Sequence, residues 1–227
     1  VNLQIVTFTS ASPASLAAFV AILVLVLTQF LVGVYRVDRK VLRVALGLGA
    51  WLALLSVAAL SGAVQAQPMP RLMLLLFAAN LAGLGLALTP LGGRMASGLP
   101  LAALIGFQAF RLPLELVLHD WVEQGTIPST MTWTGSNWDV VTGVFALVAA
   151  PLAGRSRGVA WAFNLTGLAL LLNVGRVAVL SSPLPFAWDV SPPLQLAFHF
   201  PYLLIVPVCV AGALFGHVVL TRALLTR

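Results

Sequence analysis

Charge is what this sequence has least of. Of 227 residues only 8% are Asp, Glu, Lys or Arg, against about 25% in a soluble domain. Cysteine is nearly absent too: Cys209 is alone, which excludes an internal disulfide, and its apolar surroundings favour a small buried hydrophobe over thiol chemistry. Lys40 is the one lysine, so no lysine stands in the last apolar segment to form a Schiff base, and a retinal protein is excluded. No basic leader precedes the first apolar run, so no secretory signal is read. No basic stripe with interleaved aromatics accompanies the net charge of +6, which argues against a nucleic-acid partner.

What is abundant is hydrophobicity, at 60% of residues. It comes in runs of about 20 or more, the length a bilayer requires. The fold class expected is all-α: one polytopic membrane domain over residues 1–227, a bundle of seven transmembrane helices in contact with membrane lipid. The segments expected are Pro13–Tyr35, Val41–Val64, Arg71–Thr89, Pro100–His119, Asn137–Ala153, Gly158–Leu180 and Leu196–Arg222. The third stops at Pro90, Gly92 and Gly93.

Basic residues sort by side. Arg36, Arg39, Lys40 and Arg43 follow the first segment, Arg94 the third, Arg155 and Arg157 the fifth, and Arg222 and Arg227 the seventh. Only Arg71 falls on the other side. The positive-inside rule then places the N-terminus outside and the C-terminus in the cytoplasm. The connections 121–136 and 181–195 become external. With Asp120 adjoining the first, they carry Asp120, Glu123 and Asp189 and no basic residue. Trp121, Trp133, Trp138 and Trp188 are expected near the outer interface as an aromatic belt, or the two connections form a lid in which Trp133 meets Phe186 or Trp188.

Within the fourth segment, Gln108, Arg111, Glu115 and His119 fall in an arc of roughly 80° on one helix face. An ionisable group at membrane depth costs a few kcal/mol, faces the bundle interior and has a partner. Pro113 in the same stretch should bend the helix. Asn137, Asp139, Asn173, Arg176, His199 and Tyr202 are expected at the same outer depth on three other helices. Together these ten residues are the candidate ligand site. The plain alternative is internal neutralisation, two arginines against two carboxylates. His119 and His199, with Glu115 or Asp139, have the chemistry of a metal set or of a haem axial pair, but no HxxxH or HExxH spacing supports either. No cofactor is assigned. His217 lies about 27 Å along the helix axis from His199 and is expected near the inner surface, outside that site.

Phe107–Gly143 contains FRxPxELxL, GxIPxxMT and GxNxDxxTG. This stretch resembles a signature of uncharacterised bacterial multi-spanning proteins, with weaker similarity around Asn173 and Pro183–Phe186. The resemblance implies a bacterial inner-membrane protein and groups Arg111, Glu115, Asn137 and Asp139 as a unit. It implies no reaction. A basic residue is expected where this chain has Ser136. Three functions remain open from sequence: a carrier or sensor of a small polar or amphiphilic molecule, an enzyme using Glu115 or Asp139 as acid or base, and a scaffold without ligand.

Overall fold

The computed structural model describes residues 7–227. It is all-helical, with no strand among those residues. The helices are α1 (Pro13–Val37), α2 (Val41–Leu60), α3 (Met69–Leu88), α4 (Pro90–Gly98), α5 (Leu101–Glu123), α6 (Val140–Leu152), α7 (Arg157–Ser181) and α8 (Tyr202–Thr226). Six of them, all but α4 and α6, are long and apolar enough to cross a bilayer. The fifth expected segment is α6, only 13 residues. At 1.5 Å per residue it is about 20 Å long, short of a hydrocarbon core of about 30 Å.

Local chemistry accounts for several boundaries. Ser12 opens α1, its hydroxyl accepting the Ser15 N–H at 3.3 Å with Pro13 at the first helical position. Ser156 opens α7 in the same way, through the Val159 N–H. Pro90 does not end the helical structure as the sequence reading expects. It occupies the first position of a new helix, α4, where its missing N–H costs nothing. Leu91, Met95 and Ala96 of α4 are buried. Arg94, on its exposed side, pairs with Asp38 at 2.6 Å and so joins α4 to the turn between α1 and α2.

Two large apolar clusters fill the bundle. One packs Phe19, Phe110, Leu114, Trp121, Leu171 and Tyr202. The other packs Val34, Ile105, Ala146, Phe163, Phe215 and Val219. Along α5, α7 and α8 the members of the two clusters divide at Gln108–Arg111, at Gly167 and near His217. A polar layer therefore separates two greasy halves. α5 continues to Glu123 rather than stopping at His119, so Arg111 stands near mid-span, deeper than the outer-half position expected from sequence. The helix tightens to a 3-10 turn over Phe107–Phe110, just before Pro113.

The long connections are folded. Thr126, Ile127, Met131 and Thr132 are buried, and a 3-10 turn forms at Ser129–Met131. The two connections meet through the Thr130 and Ser181 hydroxyls, 2.7 Å apart. Trp133 instead stacks on His119, Trp188 lies beneath Arg176, and Phe186 is exposed. The expected contact through aromatic tips is replaced by one between small polar side chains.

Candidate functional site

Arg111 is 1% exposed and Asp139 is 5% exposed. Arg111 Nε donates to Asp139 Oδ2 at 2.6 Å, and Nη2 donates to Asp139 Oδ1. This fork-on-fork pairing is the strongest geometry a guanidinium and a carboxylate can adopt. Gly143, one turn beyond Asp139, makes it reachable. A Cβ there would overlap the Leu112 backbone, so only glycine allows α6 to approach α5 this closely.

The other edge of the guanidinium faces α7 and α8. Nη1 lies 3.0 Å from His217 Nε2 and 3.4 Å from the Gly167 carbonyl oxygen. A guanidinium only donates, so His217 Nε2 accepts and its ring proton sits on Nδ1. Nδ1 then donates to Asn164 Oδ1 at 3.0 Å. Asn164 Nδ2 donates to Thr221 Oγ1 at 2.7 Å, and that hydroxyl donates to the His217 carbonyl at 2.9 Å. Each proton in this chain has one consistent place. Gly167 makes room for the imidazole, since a Cβ there would overlap the ring.

Asn137 links this lock to Glu115. Its Oδ1 accepts the Asp139 N–H at 3.1 Å. Its Nδ2 donates to Glu115 Oε1 at 2.9 Å and to the Met131 carbonyl at 3.0 Å. The side chain thus ties the start of α6, the connection above it and α5 together. Glu115 is 1% exposed, and its second oxygen, Oε2, has no hydrogen-bond partner among the described residues. Gln108 Oε1, His119 Nδ1, Trp121 Nε1, Thr126 Oγ1 and Thr142 Oγ1 are likewise buried and unpartnered among those residues. Buried polar atoms are normally satisfied; Ser15 Oγ and Gln29 Oε1 complete this set of unpartnered side-chain atoms among the described residues. Gln108 Nε2 itself is engaged, donating to the Ala213 carbonyl at 2.9 Å.

The ten candidate residues therefore do not form one constellation. Gln108, Arg111, Glu115, Asn137 and Asp139 belong to the buried layer. Arg176 is exposed. Its Nε and Nη2 donate to Asn173 Oδ1 at 3.2 and 2.8 Å, and its guanidinium lies 5.4 Å from the Trp188 ring centre. Asn173 Nδ2 donates to the Ser136 carbonyl at 2.8 Å. His119 stacks on Trp133 with ring centres 4.4 Å apart. His199 stacks on Phe8 at 3.8 Å, and Tyr202 Oη accepts the Ala11 N–H at 2.8 Å. Burial holds the His199 imidazole below its ordinary pKa. Among the described residues no three His, Cys, Asp or Glu side chains come together as a metal-binding group.

The carboxylate that pairs with Arg111 is Asp139, at the N-cap of a neighbouring helix, not Glu115 one turn along the same helix. His217, expected to stand apart near the inner surface, is instead a direct partner of Arg111. Asn164, Thr221 and Gly167 complete the set that sequence reasoning did not select. A signal existed: His217 and Thr221 are four apart on one face of an apolar helix, where polar side chains ask for partners.

Residues 68–225, more than half of the chain, match the family described as Domain of unknown function (DUF8737), and the protein belongs to that family. The matched region contains every member of the buried polar layer, whereas α1 and α2 precede it. No curated protein and no solved structure matches the chain.

Proposed function

We propose that this DUF8737 protein is a seven-span inner-membrane protein of a bacterium that binds a small polar or amphiphilic molecule at Glu115, as a carrier or sensor. In this reading the site opens to the periplasmic face and α6 counts as the seventh span. The observation that carries it is the Glu115 carboxyl group. It is buried, held through one oxygen by Asn137, and left with the other oxygen unpartnered among the described residues. Arg111 is occupied by Asp139, Gly167 and His217, so an anion held by Arg111 is disfavoured. A ligand that offers a donor, such as an ammonium or hydroxyl group, suits Glu115 Oε2. The Asp139–Arg111–His217–Asn164 chain acts as the rigid wall that positions Glu115.

Glu115→Gln tests this. Gln keeps an acceptor for Asn137 and loses the acid. Melting temperatures in detergent are measured against a panel of small amines and amino alcohols. A compound at a hundred times its Kd stabilises by about 2.7 kcal/mol. Wild type is expected to respond to at least one member and Glu115→Gln to none. Equal responses of the two proteins would remove Glu115 from the site.

Orientation rests on the parity of the basic residues, with the N-terminus outside and the C-terminus inside. A cysteine at exposed Ser129 should react with an impermeant thiol reagent on intact cells, and one at Ser156 should not. Native Cys209 is buried, so it leaves the background clean. Labelling at Ser156 from outside would invert the topology.

A further inference from the structure

A second site lies at the basic end of the bundle. There a cavity of about 460 Å³ opens between the start of α5, the turn joining α6 to α7, and the last turn of α8. Arg155, Arg157 and Arg227 line it together with Ser156. Its remaining walls are mostly apolar, including Leu101, Ala153 and Leu224.

Three features set this cavity apart from ordinary interfacial arginines. Its lining contains no aspartate or glutamate side chain among the described residues. Two of its guanidinium groups are fixed rather than free: Arg157 Nη2 donates to the Leu224 carbonyl, and Arg227 Nη2 donates to the Ala96 and Leu99 carbonyls, the latter at 2.7 Å. Each anchor uses one nitrogen of a five-donor fork, leaving the others for a ligand. Finally, the apolar walls sit beside the charges, a combination that suits an anion carried on an acyl chain. Asp38, the carboxylate in the turn between α1 and α2, is engaged by Arg94 and by the Lys40 N–H.

We propose that this cavity binds a phosphate group, presented by the headgroup of an anionic membrane lipid. Planar guanidinium groups bind phosphate oxygens in pairs, and basic pockets between helix ends are suited to such headgroups. The site is separate from Glu115 and does not depend on the function assigned there.

The test uses the full chain in detergent, with lipid adducts counted by native mass spectrometry. Phosphatidylglycerol and phosphatidylcholine are supplied in equal amounts. Wild type should retain phosphatidylglycerol about tenfold better, equivalent to one charge-assisted contact. Arg155→Gln should lose most of that preference. Arg155→Lys should keep part of it, and Arg43→Gln, which removes an exposed charge outside the cavity, should keep all of it. If millimolar inorganic phosphate strips the adduct and raises the melting temperature of lipid-free wild type, the cavity takes a soluble phosphate by the same chemistry. Equal retention of the two lipids by wild type, with no effect of phosphate, overturns the proposal even if Arg155→Gln fails to fold. Equal losses in Arg155→Gln and Arg43→Gln overturn it as well, since they would reflect diffuse surface charge.

Discussion

Arg111→Leu should destabilise the protein by about 3–5 kcal/mol, the cost of breaking a buried ion pair from one side. The substitution leaves the Asp139 carboxylate, 5% exposed, without its cation. It also removes the donor from His217 Nε2, so the ring loses one of its two fixed directions. Replacing Arg111 and Asp139 together by leucine should restore much of the loss, because two apolar side chains leave no charge stranded. Glu115 keeps its Asn137 contact in both variants, which separates this experiment from the ligand test. Thermal melts of the single and double variants in detergent decide the matter. A single variant that melts with wild type would mean that the pair contributes nothing to the fold.

Gly143→Ala should cost about 2–3 kcal/mol although it adds one methyl group, the upper range for overpacking. That methyl would overlap the Leu112 backbone nitrogen and Cα, and backbone cannot swing aside as a side chain can. α5 and α6 must move apart, and Arg111 and Asp139 move with them. Gly175→Ala on α7 is the control. Nothing lies within 4 Å of a Cβ at Gly175, so the same chemical change should be neutral or slightly stabilising by helix propensity. Equal melting shifts at the two positions would show that the close approach of α5 and α6 does not matter.

The long apolar segments are legible in the sequence because a run of about 20 apolar residues has few alternatives. The parts that are not legible depend on contacts between segments. Helical periodicity relates Arg111 to Glu115 because it describes one helix at a time. It carries no information on Gly143, which brings Asp139 within reach from another helix. Spacing along the last helix separates His217 from His199, and the two indeed have different partners, Arg111 and Phe8. Spacing within one helix says nothing of the depth of Arg111 on another, and Arg111 lies with His217 rather than with His199. Pro90 shows a different ambiguity: a proline that cannot continue one helix is also the residue best suited to begin another, and only packing of Leu91 and Met95 selects the second role.

The last span has one further consequence. Ile205–Val210 winds as a π-helix before the regular helix Ala211–Thr226 begins. A π turn takes up about one residue more than an α turn, and each residue of an α-helix advances by about 100°. The side chains beyond this turn are therefore out of phase with those before it. Tyr202 keeps its alignment with the cluster around Phe19 and Trp121, while His217 is aligned with Arg111. If the same residues were wound as an uninterrupted α-helix, Gly216 would stand where the imidazole now meets the guanidinium. The meeting of His217 with Arg111 is thus set by the winding of the backbone as much as by the identity of either residue.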